Sequence, residues 1–535
     1  MTGGPSGVAR AMVVVSASSV TALGIGFLKN VLAAYYFGTS GAMDAYLLAL
    51  LLPDVAMQLA RTGAFNFIPL FAAERRRDEQ EAWRAARAML GYWLALLSGA
   101  LVLAFFLLPA ALPVLAPGFD AERRRLTLEL ARVLLLMAAS VGAGRVLAIV
   151  LHAERRFVAA GASEVAFQAG STAFLVAAHG MGIEALALAQ VFGGLLQFLV
   201  VALALRPRGR LLRPSFDFAS GPVRRLIRLS LPVYLGDTGD KVNLIVTRAF
   251  ASLLPAGAVS GLQYAYTPVE GIHRMLAGPL TTALFPFLSS RFAESDQRGA
   301  RLSLSRALVT VVFVFAPFAA AAWLLADPLV VVLFERGSFD IRSSALTASA
   351  LRLYAPAVLF LALNELVGSS FHARQDTLTP MRAGFIRVAG NAALCAALTP
   401  ALGHRGIALA ATLALAAKLV YLVASLRRVF APGEARRPLA AAVRVLLSVG
   451  AMSAVVYPVA SFASTPAVLQ SRPWEALLAL SILCLSAYAA ALWLLARRLL
   501  LVHVALVRRS LLRPLRRVAG SVGASVARVP GEAHP

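Results

Sequence analysis

Four charged side chains lie inside long apolar segments between residues 29 and 71: Lys29, Asp44, Asp54 and Arg61. Charged groups at membrane depth are costly unless they pair with each other or face a water-filled cavity. We therefore interpret this stretch as one wall of a polar cavity inside a membrane protein. A mixture of lysine, arginine and acidic residues suits an anionic ligand with a polar head, because lysine and arginine are natural phosphate contacts.

A second charged stretch lies between residues 231 and 290. It contains Asp237, Asp240, Lys241, Arg248, Glu270, His273 and Arg274. Asp237 with Lys241, and Glu270 with Arg274, are i,i+4 neighbours that can pair on one helix face. Each pair could also be a bridge that only eases membrane insertion. That explanation is weakened because the charges concentrate in four of the fourteen apolar segments, which favours a second cavity wall.

The composition identifies the class of protein. The chain has 535 residues, of which 59% are hydrophobic and 14% charged, whereas soluble domains are about a quarter charged. The net charge of +25 would suggest nucleic acid in a soluble protein, but here the arginines flank apolar segments and indicate anionic lipid headgroups instead. The two cysteines form no disulfide framework or metal site, and there is no P-loop, catalytic constellation or cleavable signal peptide. We expect an integral membrane protein that is not an enzyme.

Apolar segments of about 20 residues or more are long enough to cross a bilayer. They lie near residues 10–37, 42–71, 86–116, 126–151, 157–179, 182–205, 225–253, 257–288, 305–334, 344–371, 381–401, 406–426, 438–462 and 474–499. An even number of spans puts both termini on one side. Arginine is concentrated in one alternate set of loops and in the tail, which predicts that this side is cytoplasmic. The cluster Arg123, Arg124 and Arg125 is the one feature that opposes the assignment.

An internal repeat indicates two related halves. Asp120 precedes His152 by 32 residues, and Asp340 precedes His372 by 32 residues, with Gly-Phe-Asp before one copy and Gly-Ser-Phe-Asp before the other. Matching points lie six spans apart, so the halves share one orientation, as in transporters with a central cavity. The sequence predicts an all-α integral membrane protein with about fourteen transmembrane helices, comprising two six-helix lobes related by a parallel repeat around a central cavity and two C-terminal helices. The predicted parts are 1–205 (first lobe), 206–228 (cytoplasmic linker), 229–428 (second lobe), 429–500 (appendage) and 501–535 (basic tail).

Motifs along nearly the whole chain resemble the MurJ/MviN family of lipid II flippases, in the MOP exporter superfamily. They are Gly26-Phe27 with Lys29, Phe37-Gly38 through Asp44-Ala45, Gly63-Ala64-Phe65, Ala116 to Asp120, Arg156-Phe157, Ala251-Ser252 through Tyr264-Ala265, Leu284 to Ser289, Leu333 to Phe339, and Arg374 through Pro380. The resemblance implies a cavity that opens alternately to the cytoplasm and the periplasm of a bacterial inner membrane. It would pass the diphosphate-sugar-peptide head of lipid II while the polyprenyl tail stays in lipid.

The candidate substrate-binding residues are Lys29, Asp44, Arg61, Asp237, Lys241, Glu270 and Arg274. The resemblance carries over two of them, Lys29 at a basic position of the first span and Asp44 at the acidic position that opens the second span, and the other five come from the charges of the two stretches. No metal or cofactor is expected, and the energy would come from the membrane potential or a cation gradient. The expected partners are the lipid-linked precursor, anionic membrane lipids and cell-wall synthesis proteins, without nucleic acid. The family carries arginines near positions occupied here by Leu23, Met57 and Thr267, and Arg61 and Arg274 lie one or two helical turns away.

Three other functions are compatible with the residues. The first is a flippase for another undecaprenyl-linked glycan. The second is a cation-coupled small-molecule antiporter of the same superfamily, in which Asp44, Asp237 and Asp240 would bind the coupling ion. The third is a membrane scaffold without transport activity.

Overall fold

The protein is known as a computed structural model that describes residues 5–58, 67, 71, 74–154, 156–206, 213–218, 221–293, 297–374, 376–427 and 436–501. Only the backbone is described for residues 5–14, 222, 229–238, 278–293, 297, 298, 427, 436 and 437. Every regular element in this part of the chain is helical. The helices are α1 (Pro5–Phe37), α2 (Gly41–Ala49), α3 (Glu79–Leu115), α4 (Ala121–Ala153), α5 (Phe157–Ala178), α6 (Ile183–Leu205), α7 (Gly221–Ser252), α8 (Ala258–Ala293), α9 (Gln297–Leu324), α10 (Ala326–Phe334), α11 (Ile341–Tyr354), α12 (Ala357–Ala373), α13 (Leu378–Leu402), α14 (His404–Arg427), α15 (Arg436–Ala463), α16 (Pro466–Ser471) and α17 (Pro473–Leu495).

The predicted apolar segments coincide with these helices, because a helix satisfies every backbone polar group within the segment. Three predicted spans are interrupted. The second has a turn at Leu50 before helical residues 51–58, the ninth divides into α9 and α10, and the tenth divides at Pro356 into α11 and α12. Ten helical stretches of the described chain are long and apolar enough to cross a membrane. The all-helical membrane fold is therefore confirmed, whereas the count of fourteen crossings stays a prediction.

The helices pack as two groups with an appendage. In the first group α1 packs on α5, and α4 packs on α2, α3 and α6. In the second group α7 packs on α13, α8 on α11 and α12, and α13 on α14. The appended α15 and α17 pack on each other, and they contact the second group through α9 and α10. The groups meet where α2 contacts α8, α3 contacts α7 and α1 contacts α10.

The two copies of the internal repeat adopt the same local structure. Asp120 caps α4 by accepting a hydrogen bond from the Arg123 amide at 2.8 Å, and Asp340 caps α11 by accepting one from the Ser343 amide at 2.8 Å. The pKa of Asp340 is lowered, first because the Ser343 hydroxyl donates to it and next because the Ser343 amide does. A lowered pKa favours the carboxylate, so this cap is complete above the ordinary pKa of aspartate and is lost as the pH falls through the lowered value.

Residues 213–218 of the predicted linker form a strap along α3. The Ser215 amide donates to the Arg87 carbonyl at 3.0 Å, and the Arg87 Nε donates to the Arg213 carbonyl at 2.9 Å. The strap passes directly over Gly91, since a Cβ at that position would lie 2.0 Å from the Ser215 carbonyl oxygen. The absence of a side chain at Gly91 is therefore what allows the strap to lie against α3.

We expect Gly91→Ala to detach this strap. Relieving the overlap requires a shift that costs about 1–3 kcal/mol, so chymotrypsin cleavage after Phe216 should accelerate at least about fivefold, because about 1 kcal/mol of local stability is lost. The measurement is the rate at which this cleavage product appears by mass spectrometry. Gly99→Ala on the same helix is the matched control, because nothing lies within 4 Å of a Cβ there. Equal cleavage rates in the two variants would show that the strap does not depend on Gly91.

Candidate functional site

Two cavities lie between and beside the helix groups, and they meet at α8. The first, which we call the α1–α8 cavity, has a volume of about 630 Å³ and is lined by α1, α5 and α8. The second, the α7–α13 cavity, has a volume of about 510 Å³ and is lined mainly by α7, α8 and helices of the second group, with Asp54 from the first. Glu270 and Arg274 line both cavities. Lys29, Asp54, Lys241, Glu270 and Arg274, which the sequence places in two walls, therefore line two adjoining cavities.

Lys29 lines the α1–α8 cavity and is only 7% exposed. Its Nζ donates to Gln168 Oε1 at 3.1 Å, Ser171 Oγ at 3.2 Å and Gln190 Oε1 at 3.0 Å. It also lies 5.0 Å from the centre of the Phe167 ring, within range of a cation–π interaction. All three ammonium donors are thus used on neutral oxygens, and the positive charge keeps its full attraction for an anion in the cavity.

Glu270 and Arg274 form the i,i+4 pair that their spacing predicts. Arg274 Nη2 lies 2.6 Å from Glu270 Oε1, and the Arg274 side chain is 62% exposed. An exposed pair of this kind contributes little to stability because solvent screens it. Arg274 can therefore exchange Glu270 for an anionic ligand at low cost.

Lys241 has a partner that sequence spacing does not indicate. Its Nζ lies 3.8 Å from Asp54 Oδ2 in the other helix group, so Lys241 bridges the two groups. The side chain of Asp237, the partner predicted from i,i+4 spacing, lies outside the described residues, and so does Arg61. Asp240, next to Lys241, forms an ion pair with Arg387 of α13.

Asp44 does not line either cavity. It is 1% exposed, and its two carboxylate oxygens accept hydrogen bonds from the amides of Gly257 and Ser260, each at 2.7 Å. Both amides belong to the N-terminal end of α8, so a residue of α2 caps a helix of the other group. A carboxylate at a helix N-terminus satisfies free amides and interacts favourably with the helix dipole.

Further contacts between the groups lie at the same end as Asp44. The Ser338 amide donates to the Tyr35 carbonyl at 2.8 Å, and the hydroxyl oxygens of Thr39 and Ser343 lie 2.7 Å apart. Gly38 has a φ of +54° and ends α1, and a Cβ there would lie 2.2 Å from the Ser338 carbonyl. Direct contacts therefore close this end of the molecule, and we call it the closed end. The α1–α8 cavity extends away from it, toward Val15 and His152.

Sequence reasoning did not identify several residues that organise the site. Arg248 lies among the charges of the second stretch, yet nothing local shows that it contacts α2 of the other group. Gln168 and Gln190 hold Lys29, and Gln190 Nε2 also donates to the Tyr46 hydroxyl at 2.9 Å. Their only sequence signal is a glutamine inside an apolar segment, which does not reveal its partner.

Comparisons with known proteins agree with this geometry. The family model described as "Lipid II flippase MurJ" matches residues 33–478. A probable lipid II flippase MurJ of Rhizobium tropici is 31% identical over 409 residues, covering 73% of this chain and 75% of that protein. The lipid II flippase MurJ of Burkholderia cenocepacia is 26% identical over 420 residues, covering 75% of this chain and 80% of that protein.

Solved structures show the same fold. A lipid II flippase MurJ in an inward closed conformation superposes with a TM-score of 0.76 at 19% identity, covering 91% of this chain and 100% of that one. An inward-facing multidrug transporter of the MATE family superposes with a TM-score of 0.62 at 17% identity, covering 77% of this chain and 94% of that one. At these identities the likeness shows the fold alone.

Proposed function

This chain belongs to the MurJ family of lipid II flippases, and we propose that it moves lipid II from the cytoplasmic to the periplasmic leaflet by alternating access. The protein is a multi-pass transporter of the bacterial inner membrane and not an enzyme. The observation that carries the proposal for this chain is the pair of adjoining cavities, which Lys29, Lys241 and Arg274 line from both helix groups. A diphosphate is a suitable ligand for such a site, because it accepts several charge-assisted hydrogen bonds at once.

The orientation follows from the distribution of arginine. Loops rich in arginine lie at the end toward which the α1–α8 cavity extends, and the positive-inside rule places that end in the cytoplasm together with both termini. The closed end then faces the periplasm. In this arrangement the head group enters from the cytoplasmic side and is attracted by Lys29 and Arg274. Separation of α2 from α8 at Asp44 then opens the periplasmic side.

Arg274 also bears on the difference from the rest of the family. Leu23 and Thr267, at positions near which the family carries arginines, line the α1–α8 cavity together with Arg274. Arg274 thus supplies a guanidinium to the same space from a position two helical turns further along α8.

The proposal also includes an energy source, which is the membrane potential or a cation gradient. It includes contacts with anionic lipids and with cell-wall synthesis proteins.

The alternatives make different demands on the same residues. An antiporter would need free carboxylates for its coupling ion, but both oxygens of Asp44 accept amide hydrogen bonds and Asp240 is paired with Arg387. A flippase for another undecaprenyl-linked glycan would use the same diphosphate contacts. A comparison of the two flippase functions therefore has to use substrates that differ in their sugar and peptide parts.

Replacement of the resident flippase tests the proposal. Expression of this chain in bacteria depleted of their own lipid II flippase should restore growth and should restore lipid II on the outer leaflet, measured by its accessibility to an externally added probe. Protein that is inserted and folded but restores neither would contradict lipid II translocation. Restored export of a different polyprenyl-linked glycan in the same strain would identify the alternative substrate.

We expect Arg274→Gln to reduce translocation by about tenfold, since a charge-assisted hydrogen bond contributes about 1.5–3 kcal/mol. The fold should persist because the Glu270–Arg274 pair is exposed and contributes little to stability. The measurement is the initial rate of lipid II translocation at several substrate concentrations. Arg444→Gln is the matched control, since Arg444 is exposed on α15 and lines neither cavity. A rate equal to that of Arg444→Gln would remove Arg274 from the site.

A further inference from the structure

Arg248 connects the two helix groups from within the α7–α13 cavity. It lies near the end of α7, is 8% exposed and lines that cavity. One guanidinium nitrogen donates to the backbone carbonyl of Leu47 in α2, and Nη2 donates to Gln263 Oε1 at 3.2 Å. Leu47 belongs to the first group, whereas Arg248 and Gln263 belong to the second. The hydrogen bond to Leu47 therefore holds the groups together beside the closed end.

The carbonyl of Leu47 is open to an outside donor for a local reason. α2 ends at Ala49, and Pro53 lies in the helical residues that follow the turn at Leu50. The last four carbonyls of a helix lack partners within it. Leu47 lies within this last turn. The interrupted helix thus presents a backbone oxygen to the arginine of the other group.

In the described part of the chain, Arg248 has no carboxylate partner of its own: Asp54 lines the same cavity and attracts Arg248 at longer range, but the Asp54 carboxylate lies 3.8 Å from Lys241 Nζ. Among the described side chains no carboxylate lies within the 4.0 Å that defines an ion pair with Arg248, and both of its acceptors are neutral. Burying a cation on neutral acceptors alone leaves much of its desolvation cost uncompensated. Ionisable groups kept inside membrane segments under such conditions usually serve the transport pathway.

We propose that Arg248 is a latch that opens when an anionic diphosphate arrives, an inference that rests on the proposed function. Separation of α2 from α7 breaks the bond to Leu47 and leaves a guanidinium in the cavity with only Gln263 as acceptor. A phosphate oxygen replaces the lost carbonyl and adds the missing negative charge. Opening of the closed end is therefore favourable with the diphosphate bound and unfavourable without it, which couples the conformational change to the substrate and disfavours opening of an empty transporter.

The experiment measures exposure of the closed end with and without substrate. Ser343→Cys places a thiol at a position that is 4% exposed, in a chain whose Cys395 and Cys484 are replaced by alanine. The full chain is reconstituted in nanodiscs and labelled with a maleimide, alone, with purified lipid II or with inorganic pyrophosphate. We expect lipid II to accelerate labelling about tenfold in the parent protein. Acceleration by pyrophosphate as well would assign the effect to the diphosphate itself.

Two substitutions separate the charge of Arg248 from its hydrogen bonds. Arg248→Gln should label about tenfold faster than the parent without substrate, corresponding to about 1.4 kcal/mol, and lipid II should add nothing further. Arg248→Lys keeps the charge and should keep the acceleration by lipid II. A substrate response in Arg248→Gln equal to that of the parent overturns the proposal, and so does loss of the response in Arg248→Lys.

Folding and function are checked in the same set of proteins. If Arg248→Gln does not fold, Gln263→Ala is used: it removes the acceptor that Arg248 keeps after opening, so it should slow labelling without substrate while preserving the response to lipid II. An unchanged labelling rate in Gln263→Ala overturns the latch, as does a lost response in Arg248→Lys. Arg444→Gln is the control for an arginine outside the cavities. If the parent chain rescues flippase-depleted cells but the variants do not label as expected, the latch alone is rejected. If the parent chain does not rescue these cells, the proposed function is rejected.

Discussion

Lys29→Gln is expected to reduce lipid II translocation by about a hundredfold or more while leaving the protein folded. The two N–H groups of the glutamine amide can replace at most two of the three bonds to Gln168, Ser171 and Gln190, so the substitution removes the charge and keeps part of the hydrogen bonding. Loss of the charge leaves no buried ion behind, because the partners of Lys29 are neutral. The attraction of a cation for a diphosphate in a weakly hydrated cavity contributes about 3 kcal/mol, which corresponds to the expected loss.

The measurement is the translocation rate in reconstituted vesicles together with rescue of flippase-depleted cells. Ser171→Ala is the matched control, because it removes one acceptor of the same ammonium but retains the positive charge. We expect that variant to stay within a few-fold of the parent. Translocation by Lys29→Gln at the parent rate would show that the charge of Lys29 does not act on the substrate.

Asp44→Ala is expected to open the closed end and to reduce transport by at least about tenfold. The substitution leaves the amides of Gly257 and Ser260 without the carboxylate that caps α8, and each hydrogen bond to a charged acceptor contributes about 1.5–3 kcal/mol. Those amides are better solvated when water reaches them, so the equilibrium shifts toward separation of α2 from α8. A transporter that remains open on one side completes fewer cycles.

Labelling of the Ser343→Cys thiol by a maleimide measures this shift, with a thermal unfolding curve to confirm that the variant is folded. Asp44→Asn is the graded comparison, since its side chain offers one acceptor oxygen in place of two and should give an intermediate rate. Unchanged labelling in Asp44→Ala would mean that other contacts, such as the Ser338 amide with the Tyr35 carbonyl, keep this end closed without Asp44.

Transport and opening of the closed end are thus expected to depend on different residues. Lys29 and Arg274 contact open volume, so their loss should weaken the response to substrate. The Asp44 carboxylate accepts its hydrogen bonds from the other helix group, so its loss should change the conformational equilibrium even without substrate. Arg248 belongs to both sets, because it lines a cavity and also bonds to α2. Labelling rates with and without lipid II therefore separate these roles within one assay.

Local features were predictable because short-range chemistry determines them. The apolar segments became helices since the backbone has no other way to satisfy its polar groups in lipid. Asp120 and Asp340 cap helices through contacts three residues away, and Glu270 pairs with Arg274 one turn away, so spacing alone is sufficient. The repeat of these caps, together with the family motifs, also indicated two related groups of helices around a cavity.

Partners that are distant in sequence were decided only by the tertiary structure. Lys29 is held by residues 139 to 161 positions away, and Arg248 contacts Leu47 across 201 positions. Lys241 lies near Asp54, a partner that local spacing does not indicate, because the packing of a helix from the other group brings that carboxylate close to it. Asp44 looks like a cavity residue in sequence, yet packing of α2 against α8 places it on free amides. Hydrophobic periodicity specifies which segments are helices, but it does not specify which helix faces pack against each other. That packing decides whether a charged side chain lines a cavity, caps a helix or connects the two helix groups.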